Sequence, residues 1–192
     1  MKIRRIVTGH DEQGNSVFVS DDYAPRAQSF ASIPGHAMAQ LWATPANPVR
    51  LEQERDPTLG NSSMIPPQGG TSIAMFDFPP DSVMQNPVDG VRAYEELGAA
   101  LPGLIESFEP ENPGMHTTAT IDYGIILEGE MWLELDNGQS RLVKAGDIVI
   151  QNGTRHAWRN KSDGIARALF VMIGASSPEK QSLLANYSDP NS

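Results

Sequence analysis

One stretch of the chain places residues of catalytic or metal-binding type at the spacing of a β-strand. The segment "GMHTTATIDYGIILEGEM" contains His116 and Asp122 six positions apart. Side chains of a strand alternate between its two faces, so these residues share a face with Thr118 and Thr120. That face is polar where the segment begins and small or apolar towards its end. The gradient predicts a ligand pocket above a packed core, with Thr118 and Thr120 as substrate contacts.

A second stretch, "GDIVIQNGTRHAWRN", carries another histidine. If it forms a strand, His156, Trp158 and Asn160 share one face, and Trp158 becomes a candidate for contact with the substrate. Arg155 stands in the turn before His156, where it could bind a substrate carboxylate. An exposed turn arginine with no such role is the alternative.

The elements that must position these residues are mostly short strands. Residues 70–175 alternate short runs of β-branched and aromatic residues with turns such as "DNGQ" and "QNGT", which indicates an antiparallel barrel or sandwich. Residues 1–69 are predicted to form a hairpin turning at "DEQGN" and an extended arm with one strand, "MAQLWAT". Residues 176–192 are predicted as a tail with a short helix. The fold class is therefore all-β.

One helical insertion, residues 89–108, interrupts the strands. Its apolar positions recur at three- and four-residue steps, and Pro102 is expected to break or kink the helix. These positions are Val91, Tyr94, Leu97, Leu101, Leu104 and Phe108. The insertion is predicted to be a lid or wall of the pocket, or else a cover on the outside of the sheet.

Composition excludes several functional classes. The 192 residues have a formal net charge of −10 and no cysteine. Nucleic acids and anionic membranes require clustered Lys and Arg, so neither is an expected partner. Thiolate catalysis and cysteine-bound metals are excluded. The N-terminus has no apolar run, we see no nucleotide or flavin motif, and a cytoplasmic protein is expected.

These two segments resemble the two motifs of the cupins, which are small jelly-roll barrels. The first motif pairs histidines one residue apart, followed by an acid and a glycine turn; here the frame is His116, Thr118, Asp122 and Gly129. The second appears here as Gly146, Gly153, His156 and Asn160. The resemblance implies a single-domain cupin barrel with an N-terminal extension and a homodimeric assembly. It is strongest to a subgroup in which few members have an assigned reaction.

The jelly roll would bring His156 to the space in front of His116 and Asp122. Two imidazoles and a carboxylate bind divalent iron, manganese, cobalt, nickel or zinc and leave positions open for substrate. The usual cupin site has three histidines and a glutamate. Here Thr118 replaces the second histidine, and Asp122 is one methylene shorter than glutamate.

Three functions therefore stay open. The first is an oxidoreductase or oxygenase acting on a small oxygenated organic molecule through a metal held by His116, Asp122 and His156. The second is a metal-free isomerase, dehydratase or cyclase in which His156 and Asp122 transfer protons. The third is a non-catalytic module that binds a small molecule.

For several residues a purely structural role is predicted, or is the alternative to a functional one. Asp122 could instead pair with Arg155 or Arg167. His10 and His36 are expected at the surface. Gly129, Gly146 and Gly153 are predicted turn residues with positive φ.

Overall fold

The computed structural model describes residues 1–46, 55–60 and 63–176 of the chain. The predicted C-terminal tail and its short helix lie outside the described residues from position 177 onwards.

Eleven strands in the described part form three sheets in which every pairing is antiparallel. The strands are β1 (Arg4–His10), β2 (Ser16–Tyr23), β3 (Arg26–Ser29), β4 (Ala37–Thr44), β5 (Thr71–Phe78), β6 (Thr120–Glu128), β7 (Glu130–Glu134), β8 (Ser140–Lys144), β9 (Ile148–Asn152), β10 (Ala157–Arg159) and β11 (Ala166–Gly174). The orders are β1-β2, β10-β7-β8 and β3-β4-β5-β11-β6-β9. This architecture confirms the predicted all-β fold with its N-terminal hairpin.

The core lies where the three-stranded and six-stranded sheets meet. Met131 of β7 and Val143 of β8 belong to the same buried cluster as Phe76 of β5 and Phe170 of β11. Strand β11 lies between β5 and β6, and its odd-numbered residues alternate with buried even-numbered ones along its whole length. Burial of these side chains supplies the main driving force for joining the two sheets.

The N-terminal arm is more regular than the sequence indicated. Strand β3 was not predicted, and β3 and β4 together extend the six-stranded sheet beyond β5. The first four residues of β4, "AMAQ", are all buried. The arm therefore contributes to the core.

The helical insertion forms, and proline ends it as predicted. Helix α1 (Asp81–Met84) precedes α2 (Gly90–Ala100), which Asp89 caps by accepting a hydrogen bond from the Arg92 N–H. Helix α2 stops before Pro102, since the residue preceding a proline disfavours helical geometry. A 3-10 turn, Ile105–Ser107, follows.

The predicted apolar face of this helix is wrong at its first two positions. Val91 and Tyr94 are 74% and 71% exposed. The buried side of α2 instead carries the small residues Ala93 and Ala100, and small side chains let a helix lie close to its neighbours. From Leu97 onwards the prediction holds, because that residue packs against the core cluster.

The three turn glycines have the predicted backbone. Their φ angles are +72° at Gly129, +94° at Gly146 and +60° at Gly153. At Gly129 a β-carbon would also lie 3.1 Å from the Ala166 Cα. Within the described ranges, the longest helices are too short and too polar to cross a bilayer.

Candidate active site: a histidine pair and a buried carboxyl in an aromatic cavity

A cavity of about 360 Å³ lies between the six-stranded sheet, β10 and the helical insertion. The chain after the middle of α2 supplies one wall, through Leu97, Leu101, Leu104 and Phe108. Of the two positions predicted for the insertion, a wall of the pocket is the one observed.

His116 and His156 meet inside this cavity. Their backbones form an antiparallel bridge in which each N–H donates to the other's carbonyl, at 2.9 and 3.0 Å. Their ring centroids are 4.2 Å apart, and the His116 ring stacks on Phe108 at 4.5 Å. The sequence prediction that these two histidines come together is confirmed.

Both histidines use the same ring nitrogen for a backbone contact. The Nδ1 of His116 contacts the Gly114 carbonyl at 3.1 Å, and the Nδ1 of His156 contacts the Thr154 carbonyl at 2.9 Å. A carbonyl only accepts, so each Nδ1 carries the proton, and a neutral ring then has a lone pair on Nε2. Neither Nε2 has a hydrogen-bond partner in the described part of the chain.

The pKa values keep both rings neutral at pH 7. Burial lowers the pKa of His116. Burial and repulsion from His116 lower the pKa of His156 to about 4. The pair therefore accepts hydrogen bonds at neutral pH and resists protonation.

Asp122 lies on the inner face of β6, where it lines the same cavity. The alternation predicted for this stretch is observed: His116, Thr118, Thr120 and Asp122 are all buried, and the residues between them are exposed. The Oδ1 atom of Asp122 is buried and makes no hydrogen bond to a described residue. Burial raises the pKa of this carboxyl, and a hydrogen bond from Thr120 opposes that rise in part.

The salt bridges suggested for Asp122 do not form. Arg155 instead pairs with Glu109 and Asp136, each at 2.6 Å. Arg167 pairs with Asp77 at 2.6 Å. The carboxyl of Asp122 is therefore left to the cavity.

The four predicted substrate contacts divide into two groups. Thr118 and Trp158 line the cavity. Thr120 and Arg155 lie outside its lining: the Thr120 hydroxyl bonds to that of Thr118 at 2.8 Å, and two carboxylates hold the Arg155 guanidinium. A role for Thr120 and Arg155 in contacting the substrate stays a prediction.

A glycine makes room for the aromatic wall. A β-carbon on Gly124 would lie 3.2 Å from Phe170 Cε1 and 3.4 Å from Trp158 Cζ2. The contact with Phe170 would be tighter than usual, so the absence of a side chain at Gly124 makes room for the Phe170 ring over β6.

His36 is a cavity residue that the sequence prediction missed. Expected at the surface, it is 4% exposed and lines the cavity. Its Nδ1 contacts the Asp77 carbonyl at 2.7 Å, and its ring stacks on Phe30 at 4.6 Å. One feature of the sequence could have indicated that His36 is buried: it lies directly between a Pro-Gly turn and strand β4. Gly35 makes that turn with a φ of +84°.

The predicted metal ligands do not assemble into a metal site. No group of three or more His, Cys, Asp or Glu side chains within residues 1–46, 55–60 and 63–176 is arranged to hold an ion. The free Nε2 atoms and the unpaired Asp122 Oδ1 are suitable types of donor. Thr118 supplies no imidazole, so His116, His156 and Asp122 are the remaining candidate donors, and among the described residues they are not arranged as an ion-binding group.

Comparison with known proteins identifies the family. The Cupin domain family matches residues 104–172. Phomopsin biosynthesis cluster protein C' of Diaporthe leptostromiformis is 35% identical over 89% of this chain and 78% of its own. The cupin-domain-containing oxidoreductase srdD of Neurospora crassa is 31% identical over 83% of this chain and 67% of its own. This chain belongs to the cupins, and the names of its relatives favour an enzyme.

Likeness to solved structures is weaker. A putative ethanolamine utilization protein Q from Salmonella typhimurium aligns over 92% of this chain and 99% of its own, at 13% identity and a TM-score of 0.40.

Proposed function

We propose that this chain is a cupin enzyme that transfers a proton on a small oxygenated organic substrate, as an isomerase, dehydratase or cyclase, without a metal. One observation carries the proposal: a buried carboxyl with an unpaired oxygen lines an apolar cavity together with two neutral histidines. A buried polar atom with no partner costs stability, so its persistence in a cavity favours a functional role.

Asp122 is the proton carrier in this proposal. A general acid or base works best when its pKa lies near the working pH, and burial moves the pKa of this carboxyl upwards in that direction. The Asp122 carboxylate takes a proton from the carbon next to a substrate carbonyl. The C–H electron pair forms the C=C bond of an enolate, and the carbonyl π pair moves onto the oxygen. As the enolate returns to a carbonyl, the protonated Asp122 gives the proton to the far carbon of a C=C bond conjugated with the enolate, which isomerises the substrate. Alternatively it gives the proton to a β-hydroxyl whose C–O bond breaks while the new C=C bond forms, which releases water.

The histidine pair orients the substrate. Since the low pKa of His156 keeps the ring neutral, its Nε2 accepts a hydrogen bond from a substrate hydroxyl without competing for the proton. The backbone bridge between His116 and His156 fixes both rings. Because Thr120 donates to Asp122, the Thr118 hydroxyl donates to Thr120, and its oxygen remains as an acceptor for a substrate hydroxyl in the cavity.

Deuterium exchange tests the proposal without knowledge of the natural product. Small enolisable ketones are incubated with the protein in D₂O, and loss of the α-proton signal is followed by NMR. The wild type is expected to speed exchange, and Asp122→Asn to lose at least about a hundredfold of that rate, the usual contribution of a general base. Equal rates in the two proteins would overturn the assignment. Met172→Leu, a change of similar volume in the cavity wall, is the control.

A metal-dependent oxidoreductase is the second candidate. It is supported by the names of relatives such as srdD and by the two Nε2 atoms whose rings are fixed through Nδ1. His116, His156 and Asp122 would be the ligands. Among the described residues, these side chains are not arranged as a metal site.

The third reading, a non-catalytic binding module, makes a separate prediction. If the chain only binds, Asp122→Asn changes affinity and there is no exchange to lose. If the chain is an enzyme, the variant binds the ketone and fails to exchange its proton.

A further inference from the structure

His36 stands in the cavity apart from the groups that the proposed reaction uses. A row of rings leads from His36 to the histidine pair. The centroid distances are 6.0 Å from His36 to Phe78, 6.4 Å from Phe78 to Phe170, 5.5 Å from Phe170 to Trp158, and 6.4 Å from Trp158 to His156. Three aromatic rings therefore separate His36 from the histidine pair along the wall. The cavity has polar groups at both ends of an aromatic stretch.

The aromatic stretch suits a flat ligand. The Phe78 and Phe170 rings are inclined by 84°, and those of Trp158 and Phe170 by 63°, so faces and edges alternate along the wall. Aromatic pairs favour edge-to-face contact, so a flat unsaturated ring in the cavity can pack against this wall in that geometry.

The charges around the cavity favour an uncharged ligand. Arg159 is the only Lys or Arg among the described residues that line it, and its guanidinium is already bound to Glu134 at 2.8 Å and to the Pro113 carbonyl at 2.6 Å. Glu109 is bound by Arg155. A ligand carboxylate or phosphate would therefore enter without a free cation to receive it.

His36 has one nitrogen to offer a ligand. Its Nδ1 donates to the Asp77 carbonyl, which leaves Nε2 as the acceptor of a neutral ring, and Nε2 has no partner in the described part of the chain. A group that meets this nitrogen must donate a hydrogen bond.

We infer that the substrate is an uncharged, flat, conjugated molecule with its reacting carbonyl near Asp122 and a hydroxyl at its opposite end, which donates to His36. This inference rests on the proposed function in taking the same cavity as the substrate site. His36 is thereby a specificity-determining residue, and the aromatic rings of Phe78, Phe170 and Trp158 hold the body of the molecule.

Direct titration by calorimetry tests this inference with four probes. These are para-hydroxyacetophenone, acetophenone, the cyclohexane counterpart of the first probe, and para-acetylbenzoate. For the wild type, the hydroxyl is expected to improve affinity about three- to tenfold, as one hydrogen bond does. The saturated ring is expected to bind at least about threefold more weakly, and the carboxylate at least about tenfold more weakly.

Two substitutions isolate the His36 Nε2 atom. His36→Asn keeps a donor for the Asp77 carbonyl and removes the atom at the Nε2 position, so the gain from the hydroxyl should disappear. His36→Gln keeps a polar atom near the Nε2 position and should retain part of that gain. A gain that persists in His36→Asn overturns the inference. So does equal binding of the flat and saturated probes by the wild type, tight binding of the carboxylate, or no saturable binding of either aryl ketone.

The titration tests the ligand class and the deuterium exchange tests the reaction, so one can fail while the other succeeds. If the hydroxyl-dependent binding holds while the wild type exchanges no deuterium, the proposed reaction is wrong and the ligand class stands. If exchange depends on Asp122 but affinity does not depend on the hydroxyl or on the unsaturated ring, the reaction stands and the ligand class is wrong.

Discussion

The His156 ring gives the molecule a measurable dependence of stability on pH. Its pKa in the folded protein is about 4, against an ordinary value of 6.5. As pH falls below 6.5, the unfolded chain takes up this proton before the folded protein does, so stability is lost as pH falls from 6.5 towards 4 and is fully present above 6.5. At pH 5 the loss is about 2 kcal/mol, from a shift worth about 1.4 kcal/mol per pKa unit.

The substitution that isolates this effect is His156→Asn. Asparagine keeps a donor for the Thr154 carbonyl and cannot be protonated. Free energies of unfolding are measured by urea titration at pH 8, 6 and 5 for both proteins. The wild type should lose about 2 kcal/mol more than the variant between pH 8 and pH 5.

A non-titrating variant of the same cavity controls for lowered stability as such. Met172→Leu should keep the wild-type pH dependence, because no proton is involved. If His156→Asn and the wild type lose stability in parallel within about 0.5 kcal/mol, the ring is not the buried neutral group described here.

Further expectations concern the site and the turns that support it. Asp122→Asn should stabilise the protein relative to the wild type more at pH 8 than at pH 4, because the raised pKa penalises the ionised carboxyl only at the higher pH; thermal denaturation at both values measures this. Asn160→Ala should cost about 3 kcal/mol in urea unfolding, because the buried side chain donates to the Phe78 and Gly164 carbonyls and accepts from Ser162. Gly129→Ala should cost about 1–2 kcal/mol at its φ of +72°, whereas Gly164→Ala, where a β-carbon meets open space, should change little.

The inner face of the site could be predicted because it depends on local rules. Alternation along one strand places His116, Thr118 and Asp122 together whatever the rest of the chain does. The positive φ of the turn glycines is equally local. These predictions are confirmed in the structure.

The rest of the site depends on contacts between distant parts of the chain, which the local pattern of apolar and polar residues does not encode. His36 reaches the cavity because the arm docks as β3 and β4 beside β5, and the paired residues of β4 and β5 lie 27 to 40 positions apart in the chain. Val91 and Tyr94 satisfy a helical stripe, but the small side chains of α2 decide which side packs. The pairing of Arg155 with Glu109 joins residues 46 positions apart, and it removes a cation from the substrate's reach.

The central claim is that Asp122 transfers a proton without help from a metal. The measurement is α-deuterium exchange by wild-type protein purified without an affinity tag, dialysed against chelator and analysed for metal content. With less than about a tenth of an equivalent of any divalent metal, the exchange rate should match that of untreated protein, and Asp122→Asn should remain inactive. Loss of exchange on chelation, restored by one equivalent of a divalent ion, would contradict the account.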